Sequence, residues 1–233
     1  MIRLDKFLAQ MNMGTRSEVK NAIRKGKVTV NGEICKNADV KIDEIADVVC
    51  FENTQICYEK YVYFMLNKPA GVVSATKDNH DKTVLDLLHG ENLQDVFPVG
   101  RLDKDTEGLL LITNDGELAH KLLSPKKHIP KTYFVRTKET VTSEQLEALE
   151  RGVDIGEDAL TLPAQAEMIA EKEIFLTIYE GKFHQVKRML KAVGNEVVYL
   201  KRQKMGNLLL DETLKLGEYR KLTTEEIEIL NNR

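Results

Sequence analysis

Residues 100–116 read GRLDKDTEGLLLITNDG, and this stretch decides how the larger part of the chain folds. Its apolar run at 109–112 predicts a buried strand, and the polar residues before that run predict a loop at the edge of the core. A carboxylate on such a loop is held rigidly, as a nucleophile or general base must be. After the strand, Asn114-Asp115-Gly116 predicts a turn.

The residues on both sides of this stretch, from 61 to 233, alternate between short apolar runs and amphipathic runs. Strands are predicted at 61–66, 109–112, 132–136, 174–179, 197–200 and 207–210, and helices at 116–123, 143–151 and 183–193. The short turns between them favour an α+β domain with a mixed, largely antiparallel sheet over a doubly wound parallel sheet.

The first 48 residues are organised differently, with helical spacing first and strand spacing afterwards. Apolar side chains recur at helical spacing over 4–11, and Thr15 with Glu18 has the form of a capping box that begins a second helix. Asn31-Gly32 lies between two alternating runs and predicts a tight hairpin. We therefore predict a helix-helix-hairpin domain at 1–48, a linker at 49–60 and a second domain at 61–233.

Charge is distributed unevenly along the chain, although the formal net charge is only −3. Basic residues outnumber acidic ones by nine to four over 1–41, by six to none over 120–138 and by seven to one over 181–204. Residues 139–173 carry ten acidic and two basic residues. Three separated basic blocks suit a polyanionic partner, although an ordinary solvated surface explains any single block equally well.

Several classes of protein are disfavoured by the composition. No apolar run approaches the roughly 20 residues that span a bilayer, and the N-terminal MIRLDKFLAQ lacks the features of a secretory signal. We therefore expect a cytoplasmic protein. The three cysteines, at 35, 50 and 57, form no C-x-x-C pair, so neither a disulfide framework nor a structural zinc site is supported.

A second polar cluster, EGKFHQVKRMLKAVG at 180–194, predicts an amphipathic helix with a cationic stripe. By itself such a stripe is most often a solvated face. The acids of the first cluster leave another alternative open, because Asp103, Asp105 and Asp115 could together hold Mg²⁺ in a metal-dependent nuclease. Against this alternative, a turn explains Asp115 better.

The N-terminal segments RLDKFLA (3–9), TRSEVKNAIRKGKVTVNG (15–32) and Asp47-Val48-Val49 closely resemble the S4 RNA-binding domain. The resemblance implies a basic surface that contacts the phosphates of structured RNA without reading its sequence. The cations that it implicates are Arg3, Arg16, Lys20, Arg24 and Lys27.

The remaining segments resemble the RNA pseudouridine synthases, in the RsuA-type branch that acts on the small ribosomal subunit. The matching segments are 63–69, 100–116, SPKKHIPKTY at 124–133, EGKFHQVKRM at 180–189, AVGN at 192–195 and 217–220. The resemblance implies an enzyme without metal or cofactor that isomerises a uridine of ribosomal RNA, at position 516 of 16S rRNA. We expect a monomer by default, since the sequence does not give the oligomeric state. Two alternatives stay open, a 23S rRNA enzyme of the same family and a non-catalytic RNA-binding protein of ribosome assembly.

The same resemblance assigns roles to individual residues. It makes Asp103 the essential catalytic aspartate, Lys187 the cation that keeps Asp103 ionised, and Tyr133 the ring that stacks on the target base. Arg188 is the alternative partner of Asp103. Because the uridine must leave the RNA stack, Arg101 is expected to fill the space that it vacates. The other implied contacts are Ile178 on the second side of the base, His184 and Gln185 with the substrate, and Lys131 with RNA.

Overall fold

The computed structural model describes residues 1–56, 58–89, 93 and 95–231. It divides into two compact units, Met1–Val62 with His89–Asp95, and Tyr63–Leu88 with Val96–Arg233. Cys57 in the predicted linker, and Arg233 at the end of the predicted second domain, lie outside the described residues. None of the helices in the described ranges combines the length and the apolarity that crossing a bilayer requires.

The described residues of the first unit form two helices and two small antiparallel sheets. Its elements are β1 (Ile2–Arg3), α1 (Leu4–Gln10), α2 (Arg16–Arg24), β2 (Val28–Val30), β3 (Glu33–Ile34), β4 (Lys41–Ile42), β5 (Val49–Phe51) and β6 (Thr54–Ile56). One sheet pairs β1 with β4, and the other has the order β3-β2-β5-β6.

The local signals at the start of this unit are confirmed. Thr15 Oγ1 accepts the backbone N–H of Glu18, and the Glu18 carboxylate accepts the backbone N–H of Thr15 in return, so the capping box is complete. Asn31 and Gly32 both have positive φ, as the tight turn between β2 and β3 requires. Apolar side chains of α1 and α2, among them Phe7, form a buried core with the sheet.

The linker predicted at 49–60 is wrong for residues 49–56, which form strands β5 and β6. Val49 is 1% exposed and pairs with Val30, so the sheet continues beyond residue 48. Glu52 and Asn53 have positive φ and form the turn between the two strands. The polar residues that suggested a linker are therefore a hairpin turn.

The second unit is built on a nine-stranded sheet. Its strands are β7 (Tyr63–Lys68), β8 (Phe97–Pro98), β9 (Glu107–Thr113), β10 (Lys131–Thr137), β11 (Gln165–Ala170), β12 (Glu173–Ile178), β13 (Val197–Met205), β14 (Leu208–Leu209) and β15 (Tyr219–Lys221). Its helices are α3 (Gly116–Leu123), α4 (Ser143–Arg151), α5 (Gln185–Ala192) and α6 (Thr224–Asn231), and two short 3-10 helices span Leu85–Leu87 and Pro125–Lys127.

The strand order is β11-β12-β10-β13-β9-β7-β15, with β14 beside β13 and β8 beside β9. Every pair of strands in this sheet is antiparallel except β9 and β13, which run parallel at Glu107–Gly108 and Lys201–Arg202. The mixed, largely antiparallel α+β architecture predicted from the sequence is therefore confirmed.

Hydrophobic burial explains which elements were predictable. Leu109 and Leu111 of β9 lie in a buried cluster with Leu118 and Leu122 of α3. Helices α3 and α4 have the predicted bounds. Strand β11 was missed because it is an edge strand whose residues are mostly exposed, so it shows little of the expected alternation.

Candidate active site

The loop at 100–106 is fixed from the segment that follows β7. Ser74 Oγ accepts the backbone N–H of Leu102 at 3.0 Å and donates to the carbonyl of the same residue at 2.9 Å. The backbone N–H of Gly71 donates to the carbonyl of Lys104 at 2.8 Å. These bonds leave the loop little freedom, so the side chains that it carries are held in place before any substrate binds.

Lys68, the last residue of β7, is fully buried beneath this loop. Its Nζ donates to the carbonyls of Asp103 at 3.0 Å, Lys104 at 3.3 Å and Thr106 at 2.8 Å, and also to that of Pro69 at 3.1 Å. Burial lowers the pKa of Lys68 from 10.5 to about 8. No role was predicted for Lys68, although a lysine at the end of an apolar strand signals a buried cation.

Asp103 makes an ion pair with Lys187, which projects from the first turn of α5. The distance from Lys187 Nζ to Asp103 Oδ2 is 3.0 Å, and Nζ also lies 2.6 Å from Asp105 Oδ1. The Asp103 side chain is 23% exposed, whereas that of Asp105 is 72% exposed. His184 Nε2 lies 3.5 Å from Asp103 Oδ1. Asp103 therefore lies in a partly enclosed, cationic environment.

The electrostatics of this cluster favour its charged form. Partial burial acts to lower the pKa of Lys187, but the hydrogen bonds with Asp105 and Asp103 outweigh it and raise the pKa above its ordinary value. Partial burial acts to raise the pKa of Asp105, and the hydrogen bond from Lys187 outweighs it and lowers the pKa. Lys187 is consequently positively charged at neutral pH, beside the carboxylates of Asp103 and Asp105.

Helix α5 orients Lys187 through its buried side. Val186, Met189 and Leu190 are at most 3% exposed and anchor the helix. His184, the N-cap, has a left-handed backbone with φ 47°, and its ring stacks on that of Phe183 with 3.8 Å between centroids. This tight turn brings His184 and the start of α5 to the Asp103 loop.

A cavity of about 480 Å³ opens beside Asp103. Its lining includes Arg101 and Asp103 of the loop, Lys131 and Tyr133 of β10, Arg202 of β13, and His184, the N-cap of α5. A smaller cavity of about 70 Å³ shares Asp103 and Tyr133 and adds Ile178. The two cavities, which share Asp103 and Tyr133, are thus lined by an acid, an aromatic ring, an apolar side chain and several cations, a lining that suits a small planar ring.

Two residues that we predicted as substrate contacts are engaged elsewhere. Gln185 is buried, accepts the backbone N–H of Lys182 at 2.9 Å and donates to Glu180 at 2.9 Å, so it shapes the turn before α5. Arg188 bonds the Glu157 carboxylate at 2.7 Å and also the carbonyls of Phe183 and Ile155. Lys187, not Arg188, is therefore the residue paired with Asp103.

Lys131 does not lie on the surface, where an RNA contact was expected. It is 8% exposed, and its Nζ donates to the carbonyl of Ile129 at 2.8 Å. It lines the cavity instead, because alternate residues of β10 point to the side where Tyr133 also lies.

The three acids of the magnesium alternative do not come together. Asp115 is the N-cap of α3, where it accepts the backbone N–H groups of Glu117 at 3.1 Å and Leu118 at 3.0 Å, and it also accepts the hydroxyl of Tyr63 at 2.8 Å. Over the described part of the chain, no three His, Cys, Asp or Glu side chains are grouped as metal ligands would be. The turn predicted at Asp115 is a helix cap.

In the first unit, the cations that were predicted to contact RNA are only partly available for it. Arg16 and Arg24 are exposed, and Lys20 Nζ lies 3.6 Å from Asp5. Arg3 is held by Asp5, with Nε 3.0 Å from Oδ1, and by Asp39 as well. Lys27 is paired with Glu52. The charges of Arg3 and Lys27 are therefore largely compensated within the unit.

Comparisons with known proteins agree with this architecture. A family model described as RNA pseudouridylate synthase matches residues 62–192, and the S4 domain model matches residues 2–49. An uncharacterized RNA pseudouridine synthase of Bacillus subtilis (strain 168) is 50% identical over 99% of this chain and 98% of its own length.

Two further relatives extend the comparison. The ribosomal small subunit pseudouridine synthase A of Escherichia coli (strain K12) is 44% identical over 97% of this chain and 98% of its own length. A crystal structure of a pseudouridylate synthase is 42% identical and superposes with a TM-score of 0.70, covering 99% of this chain and all of the other. The chain therefore belongs to the RNA pseudouridylate synthase family, whose members are isomerases, and carries an S4 domain at its N-terminus.

Proposed function

We propose that this enzyme isomerises one uridine of 16S ribosomal RNA to pseudouridine, and that the target is uridine 516. The proposal for the substrate is supported by relatives named for the small ribosomal subunit, which match almost the full length of the chain. The proposal for the chemistry is carried by one observation, the ion pair of Asp103 and Lys187 beside a cavity that could hold a base.

In the proposed reaction Asp103 is the catalytic carboxylate. The C1′–N1 bond breaks, the uracil ring rotates, and C5 bonds to C1′ before C5 loses its proton. Asp103 assists either by attacking C1′ or by supporting a glycal intermediate. Lys187 places a positive charge 3.0 Å from this carboxylate, which offsets the cost of removing the carboxylate from water.

The other proposed roles follow from the lining of the cavities. Tyr133 stacks on the uracil, and Ile178 packs on its second side. The target uridine cannot be reached inside stacked RNA, so it must flip out at a cost of a few kcal/mol. Arg101 is exposed at the edge of the cavity, where it can occupy the space that the base leaves.

We further propose that the S4 domain holds the RNA through phosphate contacts of Arg16, Lys20 and Arg24. These cations share one side of α2, because they are spaced by four residues. We propose that the enzyme works in the cytoplasm and as a monomer. Sedimentation at micromolar concentration would test the monomeric state.

Pseudouridine mapping tests the proposed function directly. Carbodiimide modification and primer extension would be applied to 16S and 23S rRNA from cells lacking the protein, complemented with wild type, Asp103→Asn or Asp105→Asn. We expect one missing stop in 16S rRNA that wild type and Asp105→Asn restore and Asp103→Asn does not. Asp105→Asn is the matched control, since Asp105 contacts the same lysine but is mostly exposed.

Other outcomes would contradict parts of the proposal. A missing stop in 23S rRNA would move the target and keep the reaction. No missing stop in either RNA would favour a non-catalytic RNA-binding protein. Restoration by Asp103→Asn would remove Asp103 from the chemistry.

A further inference from the structure

Two buried cations, Lys131 of β10 and Arg202 of β13, line the cavity beside the proposed base-stacking residue. Lys131 is 8% exposed and Arg202 is 3% exposed. Tyr133 is paired directly with Arg202, and Lys131 is paired with Ile178. Since directly paired residues and alternate residues of one strand share a face, all four side chains lie on the same face of the sheet.

Arg202 has hydrogen-bonding capacity that the protein leaves unused. Its Nε donates to the carbonyl of Leu109 at 2.8 Å. Its Nη2 is buried and, among the residues that the structure describes, has no hydrogen-bond partner. A buried donor without an acceptor costs roughly 1–3 kcal/mol, and more when it is charged. A bound ligand that supplies an acceptor to Nη2 would remove this cost.

Lys131 is similarly underused. Within the described ranges its Nζ makes one hydrogen bond, to the carbonyl of Ile129, although an ammonium group has three donors. Burial, together with the nearby charge of Arg202, lowers the pKa of Lys131 from 10.5 to about 8. Lys131 is therefore still mostly protonated at pH 7.

The backbone around Arg202 is arranged to keep it in this place. Gly108 of β9 is paired with Arg202, and a Cβ atom at Gly108 would lie 2.3 Å from the Arg202 carbonyl oxygen. Gly108 also has φ 99°, which only glycine adopts readily. This close approach of β9 and β13 sets Arg202 next to the strand that follows the Asp103 loop.

We infer that Arg202 and Lys131 bind the carbonyl oxygens of the target uracil and stabilise the negative charge that the base acquires when it is detached from the ribose. This inference rests on the proposed function. In it, Arg202 and Lys131 assist departure of the base from the ribose, whereas Asp103 acts on the ribose.

The chemistry requires such a role. When the C1′–N1 bond breaks, its electron pair stays on the uracil, and the charge is shared by N1, O2 and O4. This holds whether C1′ is bonded by the Asp103 carboxylate or loses the C2′ proton to form a glycal. On rejoining, an electron pair of the ring forms the C5–C1′ bond, while C1′ either loses its bond to the Asp103 carboxylate or, from the glycal, C2′ regains its proton. C5 then releases its proton and N1 takes one up, so the net change is an isomerisation. Donors already in place where charge develops stabilise it most effectively.

A base fits these donors better than a phosphate does. Both cations are almost fully buried and flank Tyr133 on the sheet, so a ring stacked on Tyr133 can present its edge to them. Uracil offers two carbonyl acceptors, which matches two donors with free capacity.

The test compares Arg202→Met and Lys131→Met with Lys215→Met, which removes an exposed lysine of the same unit. The single-turnover rate on a 16S rRNA fragment and the Kd for the same RNA are measured separately. We expect each of the first two variants to react about 100-fold more slowly, the usual effect of losing one donor to a developing charge, with Kd changed less than threefold. Lys215→Met should match wild type.

A second substrate separates a leaving-group role from a structural one. In RNA that carries 5-fluorouridine at the target, the fluorine stabilises the base anion, so the missing cation should matter less. We expect the loss of the detachment rate, followed as disappearance of the parent nucleoside in nuclease digests, to shrink to about tenfold in both Met variants. Arg202→Lys should recover part of the rate on uridine, since it keeps the charge.

The outcomes are distinct. Equal losses on uridine and 5-fluorouridine would overturn the inference, as would a wild-type rate in both Met variants. A weaker Kd with an unchanged rate would assign the two cations to an RNA phosphate and also overturn it. If Arg202→Met fails to fold, Lys131→Met alone decides. Failure of the wild-type protein to form pseudouridine at all would contradict the proposed function instead.

Discussion

Replacing Lys68 with methionine should make the stability of this protein depend on pH in a way that isolates the buried ammonium. Lys68 is fully buried, and its three N–H donors are shared among four backbone carbonyls, three of them in the Asp103 loop. Its pKa in the folded protein is about 8, against 10.5 for an exposed lysine. Between pH 8 and pH 10.5 the unfolded chain binds more protons at this lysine than the folded chain does. The contribution of Lys68 to the free energy of unfolding therefore becomes more favourable as pH rises.

The magnitude follows from these values. The shift from 10.5 to about 8 corresponds to about 3 kcal/mol, a cost of burying the charge that applies in full at pH 7 and falls to about 1 kcal/mol at pH 9.5. The ammonium has three N–H donors, and hydrogen bonds at about 1 kcal/mol each contribute about 3 kcal/mol in the other direction. Lys68→Met should therefore change the stability of the protein little at pH 7 and destabilise it by about 2 kcal/mol at pH 9.5.

Urea unfolding of wild type, Lys68→Met and Lys215→Met at both pH values measures this difference. The gap between wild type and Lys68→Met should widen by about 2 kcal/mol, whereas Lys215→Met, which lacks an exposed lysine, should follow the wild type. A gap that stays constant within about 0.5 kcal/mol would refute the reasoning that Lys68 is a strained buried cation. Pseudouridine formation at pH 7 should fall at least about tenfold in Lys68→Met, since the loop that carries Asp103 loses its anchor.

Three further expectations concern the proposed chemistry and the RNA surface. Lys187→Met should slow pseudouridine formation about 100-fold in a tritium-release assay with C5-labelled RNA, and Lys187→Arg should retain most of the rate, because only arginine keeps a cation beside Asp103. Equal activity of both variants would contradict the role of the charge. Changing Arg16, Lys20 and Arg24 together to glutamine should weaken RNA binding at least about tenfold at 0.1 M salt and flatten its salt dependence, measured by filter binding, with the rate at saturating RNA retained. An equal loss of rate would mean that the S4 domain also positions the target base. EDTA should leave activity unchanged, and a loss reversed by Mg²⁺ would restore the metal-dependent alternative.

Local patterns were sufficient for much of the fold and for the identity of the chemical groups. Helices α3 and α4 begin and end where their apolar spacing predicts, because the apolar residues of a helix recur every three to four positions within a short segment of sequence. Strand β9 is recognisable because it is buried on both faces and therefore continuously apolar. The acid at Asp103, the aromatic at Tyr133 and the cationic helix were each visible as sequence segments, and the structure brings them to one cavity.

Pairing and burial, in contrast, depend on residues far apart in the chain. Strands β5 and β6 were not predicted, since a short strand is stabilised by its neighbours rather than by its own pattern.

The sequence by itself determined the family, the α+β class and the set of candidate residues, because these follow from motifs and local periodicity. Only the tertiary structure decided that Lys187 rather than the adjacent Arg188 faces Asp103, since neighbouring helix residues point about 100° apart. It also decided that Lys68, Lys131 and Arg202 are buried beneath and beside the site. The sequence shows where a lysine or arginine occurs, but its exposure to water and its hydrogen-bond partners depend on strands and loops that are brought together only by folding.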